Sequence, residues 1–181
     1  MHPRVFTLRL VALLLVSALS VRAAPSLSTY LDDRLVRLRG GTLEPLPPGA
    51  LAGKSYVALY FSAEWCAPCK KFTPLLVDYY QQVSKQRSDF EVVYVSQDRS
   101  VEQMTRYMEQ AGFRFPAIAW EKVKASKRIT NYSGQGIPCL ILLDAEGRVL
   151  HDTFDGPVYR GPYVVLDEIK ARLGVVPAPV H

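Results

Sequence analysis

The sequence predicts an α/β domain in which a central sheet is covered by helices on both faces. Short apolar runs of strand character, such as 56–61 and 140–143, alternate with longer stretches whose apolar residues recur at helical spacing. The chain then closes on a hairpin followed by a helix. At 181 residues, 49% of them hydrophobic, there is room for one domain with a full core.

Residues 26–39 mix polar and apolar positions, and Leu31, Leu35, Val36 and Leu38 suit either a short helix or an edge strand. Gly40-Gly41 and the stretch Pro45 to Gly49 are turn material. Tyr56 to Phe61 reads as a buried strand, and a helix over about 67–87 follows, with Pro74 expected to kink it. Phe90 to Val95 is a second strand. Ser100 caps a helix through Val101, Met104, Tyr107 and Met108 that Gly112 closes. Phe115 to Trp120 is short and apolar, and Pro116 argues against a central ladder position. A helix over about 122–132 comes next, with Lys122, Lys124, Lys127 and Arg128 on one solvated face. Leu140 to Leu143 is a buried strand, 144–147 a hairpin turn, and 148–151 its partner. The last helix spans about 163–173.

The first two dozen residues have the pattern of an export signal. Arg4 and Arg9 precede an apolar core at 10–16, and Val21-Arg22-Ala23 offers small residues at a cleavage point near Ala23–Ala24. The expected organisation is a cleaved leader over 1–23 and one domain over 24–181, with its core at about 31–174. The apolar stretch is short for a membrane span, so an uncleaved anchor is the competing reading. Export points to the bacterial periplasm; a membrane-anchored form facing it, or secretion, are the alternatives. Without the three arginines of the leader, the formal charge falls from +5 to +2. No dense basic stripe interleaved with aromatics remains, which argues against nucleic-acid binding.

Cys66 and Cys69 stand as Trp65-Cys66-Ala67-Pro68-Cys69 between the first strand and the first long helix. A thiol at a helix N-terminus meets unpaired N–H groups and the positive end of the dipole, and both favour thiolate. Cys66, at the helix entry, suits the nucleophile. Cys69, one turn inside, suits the resolving thiol, and Pro68 stiffens the loop between them. In an oxidising compartment a structural staple is the bland alternative, but so short a loop gains little from chain-entropy restriction. With three cysteines, at least one stays unpaired or pairs with another molecule.

The segment Tyr60-Phe61-Ser62-Ala63-Glu64-Trp65-Cys66-Ala67-Pro68-Cys69-Lys70-Lys71-Phe72-Thr73-Pro74 resembles the active-site segment of the thioredoxin superfamily, its tryparedoxin and nucleoredoxin branch above all. Phe90 to Arg99 is similar to that branch's second strand and its Val-Ser-x-Asp turn, and Gly136-Ile137-Pro138 to the superfamily's cis-proline loop. The resemblance covers about 31–174. It implies a thioredoxin-like fold, a central mixed β-sheet flanked by helices on both faces. It also implies that Pro138 is cis against the cysteine pair and that the backbone of Ile137 pairs with an extended partner segment. Trp65, Ala67 and Pro68 would complete the docking surface.

Three positions depart from the family pattern. Many thioredoxins carry a buried acid six positions before the first cysteine, where this chain has Tyr60, so the proton acceptor for Cys69 is unassigned. Glu64 is close in sequence, but strand alternation places it at the surface. The segment between Cys69 and Pro138 leaves room for an extra element. Cys139 follows the cis-proline where Thr is more usual; it reads as a buried free thiol, with a third redox thiol as the sharper alternative.

The function expected is an exported thiol–disulfide oxidoreductase that reduces protein disulfides, fed by an upstream thiol–disulfide electron partner. No cofactor beyond the Cys66–Cys69 disulfide and no metal is expected, and the protein is expected to be a monomer. Disulfide donation would use the same residues. A metal-delivery module drawing on Cys66, Cys69, Cys139 and His151 is the reading from another class, and a non-catalytic docking domain a third.

Overall fold

The computed structural model describes residues 25–174. The expected leader and its cleavage point lie outside the described residues. Between 26 and 39 the chain forms both candidate elements: helix α1 (Leu27–Leu31), capped by Ser26, and strand β1 (Leu35–Arg39). Gly40 and Gly41, with φ of +54° and +79°, turn the chain into β2 (Thr42–Pro45), a strand between the two stretches expected to be turn. Next come β3 (Tyr56–Ser62), α2 (Ala67–Val83), β4 (Phe90–Ser96) and α3 (Val101–Gln110), whose cap Ser100 accepts from the Gln103 N–H. Pro74 lies inside α2, which runs without interruption to Val83 rather than to residue 87.

β5 (Ala117–Ile118) lies inside the sheet, between β1 and β4, contrary to the expectation from Pro116. Pro116 only has to accept: its carbonyl takes the Tyr94 N–H at 2.9 Å, and no donor is needed from it. The helix expected over 122–132 is two, α4 (Trp120–Val123) and α5 (Lys127–Thr130). The break falls at Ser126, fully buried, whose hydroxyl donates back to the Lys122 carbonyl at 2.8 Å. Their cations are not one solvated face either. Lys122 pairs with Asp33, and Arg128 donates to the carbonyls of Pro25 and Glu146, so both tie these helices to neighbouring segments. The chain ends in β6 (Cys139–Asp144), β7 (Val149–Asp152), a small hairpin of β8 (Phe154–Asp155) and β9 (Val158–Tyr159), and α6 (Pro162–Leu173).

The seven-stranded sheet has the order β2-β1-β5-β4-β3-β6-β7. β3 pairs parallel with β4 and antiparallel with β6, so the sheet is mixed. Alternation along the strands sends Ala58, Tyr60, Val92, Tyr94, Leu140 and Leu142 to the face packed by α2, α3 and α6. Val57, Leu59, Phe61, Val93, Val95 and Ile141 face the other way, against α1, α4 and α5. Burying side chains such as Phe72, Leu76 or Ile129 contributes about 1.5–3 kcal/mol each, which is what seats the helices. Helices cover both faces of the mixed sheet, as the sequence predicts. Because β3 is flanked by β4 and β6, the loops at their ends converge around the start of α2.

Candidate active site

Cys66 is the N-cap of α2. Its Sγ is bonded to Cys69 Sγ at 2.03 Å, and it accepts the Cys69 N–H at 3.2 Å. A sulfur therefore fills the place that Ser or Asp fills at most helix starts. Pro68 contributes no N–H to this turn, so the Cys69 amide is the donor that reaches the sulfur. Both cysteines are buried, Cys66 retaining 4% exposure and Cys69 none. Ala67 and Pro68 are exposed, as are Lys70 and Lys71.

The Ile137–Pro138 peptide is cis. The Ile137 carbonyl oxygen lies 3.8 Å from Cys66 Sγ, and the Ile137 side chain packs against Ala63, Cys66 and Cys69. Among the described residues the Ile137 N–H makes no backbone hydrogen bond, which leaves it open to a partner strand. Pro138 is buried, and its carbonyl accepts the Tyr159 hydroxyl at 2.9 Å, so the β8–β9 hairpin braces the loop from behind.

Trp65 is 55% exposed, its indole N–H donating to the Gln97 carbonyl at 3.3 Å. It stands as a ridge beside the disulfide instead of filling the core. Asp98, buried in the turn after β4, receives the Glu64 N–H at 2.7 Å on one oxygen and the hydroxyls of Tyr94 and Ser96 at 2.9 and 2.8 Å on the other. Glu64 is only partly exposed, because Arg106 of α3 grips its carboxylate in a bidentate pair at 2.6 and 2.8 Å. That hydrogen bond holds its carboxyl below the ordinary 4.5, so Glu64 is committed to Arg106 and is no proton acceptor for Cys69.

Tyr60 gives no acid either. Its hydroxyl meets Thr73 Oγ1 at 2.7 Å, the Tyr107 hydroxyl meets the same atom at 2.6 Å, and Thr73 donates to the Cys69 carbonyl at 2.8 Å. Burial pushes the Tyr60 phenol far above its ordinary value, so it stays neutral, and the hydroxyl cluster ties down the first turn of α2. Arg106 and Tyr159 escape the sequence reading, as do the roles of Asp98 and Thr73, which lie inside the motifs it quotes. Thr73, one turn after Cys69, had a signal in its spacing; the others arrive from elements distant in sequence.

Cys139 is fully buried, and burial pushes its thiol up to about 11. It packs in the α1/α4/α5 cluster, apart from the pocket of Ala63, Cys66 and Cys69. His151 lies on β7, opposite Leu142. Among the described residues no three His, Cys, Asp or Glu side chains gather as metal ligands, so the four-ligand set drawn from the sequence does not converge. Nor is any helix among them long and apolar enough to cross a membrane.

A family model described as thioredoxin-like matches residues 53–149. The chain belongs to the thioredoxin-like family. Among curated thioredoxin-like relatives, nucleoredoxin of Danio rerio is 43% identical over 102 residues, 56% of this chain and 24% of that protein. Nucleoredoxin of Homo sapiens is 37% identical over 117 residues, 64% of this chain and 26% of the relative. The chain thus spans about a quarter of the length of these nucleoredoxins. Among solved thioredoxin-like structures, tryparedoxin I of Crithidia fasciculata superposes with a TM-score of 0.60 at 29% identity, covering 78% of this chain and 90% of that one. Thioredoxin of Wuchereria bancrofti gives 0.59 at 32%, covering 78% and 97%. The Cys66–Cys69 disulfide and its place on a thioredoxin-like fold support thiol–disulfide oxidoreductase activity.

Proposed function

We propose that this protein reduces protein disulfides through a Cys66/Cys69 dithiol cycle. In the reduced form the Cys66 thiolate attacks one sulfur of a partner disulfide. A mixed disulfide forms, and the partner's other sulfur leaves as a thiolate. Cys69, deprotonated, then attacks Cys66 Sγ; the intramolecular disulfide forms and the partner's second sulfur is released. Two electrons pass to the partner, whose sulfurs take up two protons, and an upstream dithiol restores the pair. Trp65, Ala67 and Pro68 form one side of the docking surface, and the Ile137 N–H and the cis Pro138 the other.

The observation that carries this reading is the Cys69 N–H aimed at Cys66 Sγ beside an unpaired Ile137 amide. It supports Cys66 as nucleophile, because a thiolate there would gain a charge-assisted bond. The family likeness favours the reducing direction.

Replacement of Cys66 by Ser is expected to abolish disulfide reduction, and Cys69→Ser to accumulate the mixed disulfide with a protein substrate, read by non-reducing electrophoresis and mass spectrometry. Exchange at wild-type rate in the Cys66→Ser protein would overturn the assignment. Export to the periplasm belongs to the same proposal and is supported by the leader pattern alone; the N-terminal sequence of protein recovered from an exporting host tests cleavage after Ala23.

A further inference from the structure

Beyond the disulfide, the turn after β4 forms the wall of a cavity of about 720 Å³. The same turn holds the active-site loop from its other side, through the Gln97 carbonyl on Trp65 and the Asp98 carboxylate on the Glu64 N–H. The cavity and the redox centre therefore share one wall. Trp120, half-buried, and Val123 give the cavity an apolar side, and Trp120 is fixed by donating its indole N–H to the Asp98 carbonyl at 3.1 Å.

Free charge at the rim is net positive. Arg99 and Lys124 line the opening, both exposed and neither in an ion pair among the described residues. Arg106 and Lys122, close by in sequence, are both paired. Asp98 also lines the cavity, but its oxygens already accept from Glu64, Tyr94 and Ser96. Glu121 is the exposed carboxylate on the rim. Across the loop, Lys70 is near enough to Glu64 for its charge to help depress that carboxyl, and Lys71 adds a further exposed cation. Glu102 of α3 is a further exposed carboxylate outside any ion pair among the described residues, so Arg99, Lys124, Lys70 and Lys71 outnumber Glu121 and Glu102 around the approach to Cys66.

We propose that this cavity is a recognition subsite for the redox partner, taking an apolar side chain flanked by Asp or Glu from the extended protein segment that carries the reacting disulfide. The inference rests on the thiol–disulfide reading and names its partner's chemistry. Sheet order explains why the occupant is a segment of protein. β3, whose end leads to Cys66, lies between β4, which leads to the cavity, and β6, which follows the Ile137 amide. A segment that pairs at Ile137 and also reaches the cavity therefore runs across Cys66 and the exposed Trp65. A strand-like segment does this while pairing with Ile137 and placing alternate side chains toward the surface. Carboxylates in it meet Arg99 and Lys124, which sets selectivity and encounter rate.

The test is binding to the oxidised protein, which needs no turnover. Two redox-inert peptides are compared by calorimetry, each with Ser for its cysteine and one Phe, one flanked by Glu and the other by Lys. The Glu peptide is expected to bind about tenfold tighter, with the difference shrinking in high salt. The double variant Arg99→Glu/Lys124→Glu is expected to reverse the preference, and Glu121→Lys to widen it. Equal affinities, a preference unchanged by the double variant, or tighter binding of oxidised glutathione than of the Glu peptide would each overturn the proposal. Reduction of uncharged 2-hydroxyethyl disulfide by the wild-type dithiol reports separately on the redox reading, so the two can fail independently.

Discussion

Glu64 illustrates how a single side chain is recruited from solvent to hold a site. It precedes Trp65 and Cys66, and its backbone is taken by Asp98 and its carboxylate by Arg106. The position of Trp65 therefore depends on contacts made by the residue before it. Arg106 holds the Glu64 carboxyl below its ordinary 4.5. A depressed carboxyl contributes fully above its unperturbed value, and the contribution is lost as pH falls through the lowered one. The Trp65 indole N–H resonance is accordingly expected to hold steady as pH falls through 4.5 and to move only in stronger acid. In Arg106→Gln the movement is expected to begin near the ordinary carboxylate range. Coincident titrations in the two proteins would show that the latch does not hold the loop.

Among the elements, the β8–β9 hairpin has the clearest structural task. Phe154 and Tyr159 stack edge to face with ring centres 5.2 Å apart, and Tyr159 reaches the Pro138 carbonyl. Gly134, at the approach to the cis-proline loop, lies so close to this hairpin that a Cβ there would overlap the Phe154 ring. Gly134→Ala is expected to cost about 1–3 kcal/mol, seen as a lower urea midpoint at unchanged slope; an unchanged midpoint would mean the hairpin is free to move aside. Such two-residue strands carry too little periodicity to be read from sequence, and β2 is hidden between Gly40-Gly41 and a Pro-rich stretch. The break between α4 and α5 was likewise illegible, because the exposed run of Lys and Arg gives no hint that Ser126 is buried. By contrast, the strand-to-helix junction at Cys66 was legible from adjacent residues, and the cis Ile137–Pro138 step through the family resemblance carried by Gly136-Ile137-Pro138. Asp98 and Arg106 were not, since their roles arise only when β4 is placed beside β3.

At the scale of the whole molecule, sheet order turns three separate loops into one surface. β4, β3 and β6 are neighbours, so the Asp98 turn, the Cys66 loop and the cis-proline loop converge at one end of the sheet. The α2 dipole and the Cys69 amide act there on a single sulfur. Cys139, though adjacent to Pro138 in sequence, is turned into the opposite core and takes no part. The arrangement sets one cysteine at the start of α2 beside the open Ile137 amide and buries the other one turn inside, as the proposed dithiol cycle requires. The most direct test is the reduction potential of the Cys66–Cys69 pair, equilibrated in thiol buffers of known poise. A value near about −270 mV is predicted for a disulfide reductase. A value near about −120 mV would identify a disulfide donor and contradict the direction assigned here.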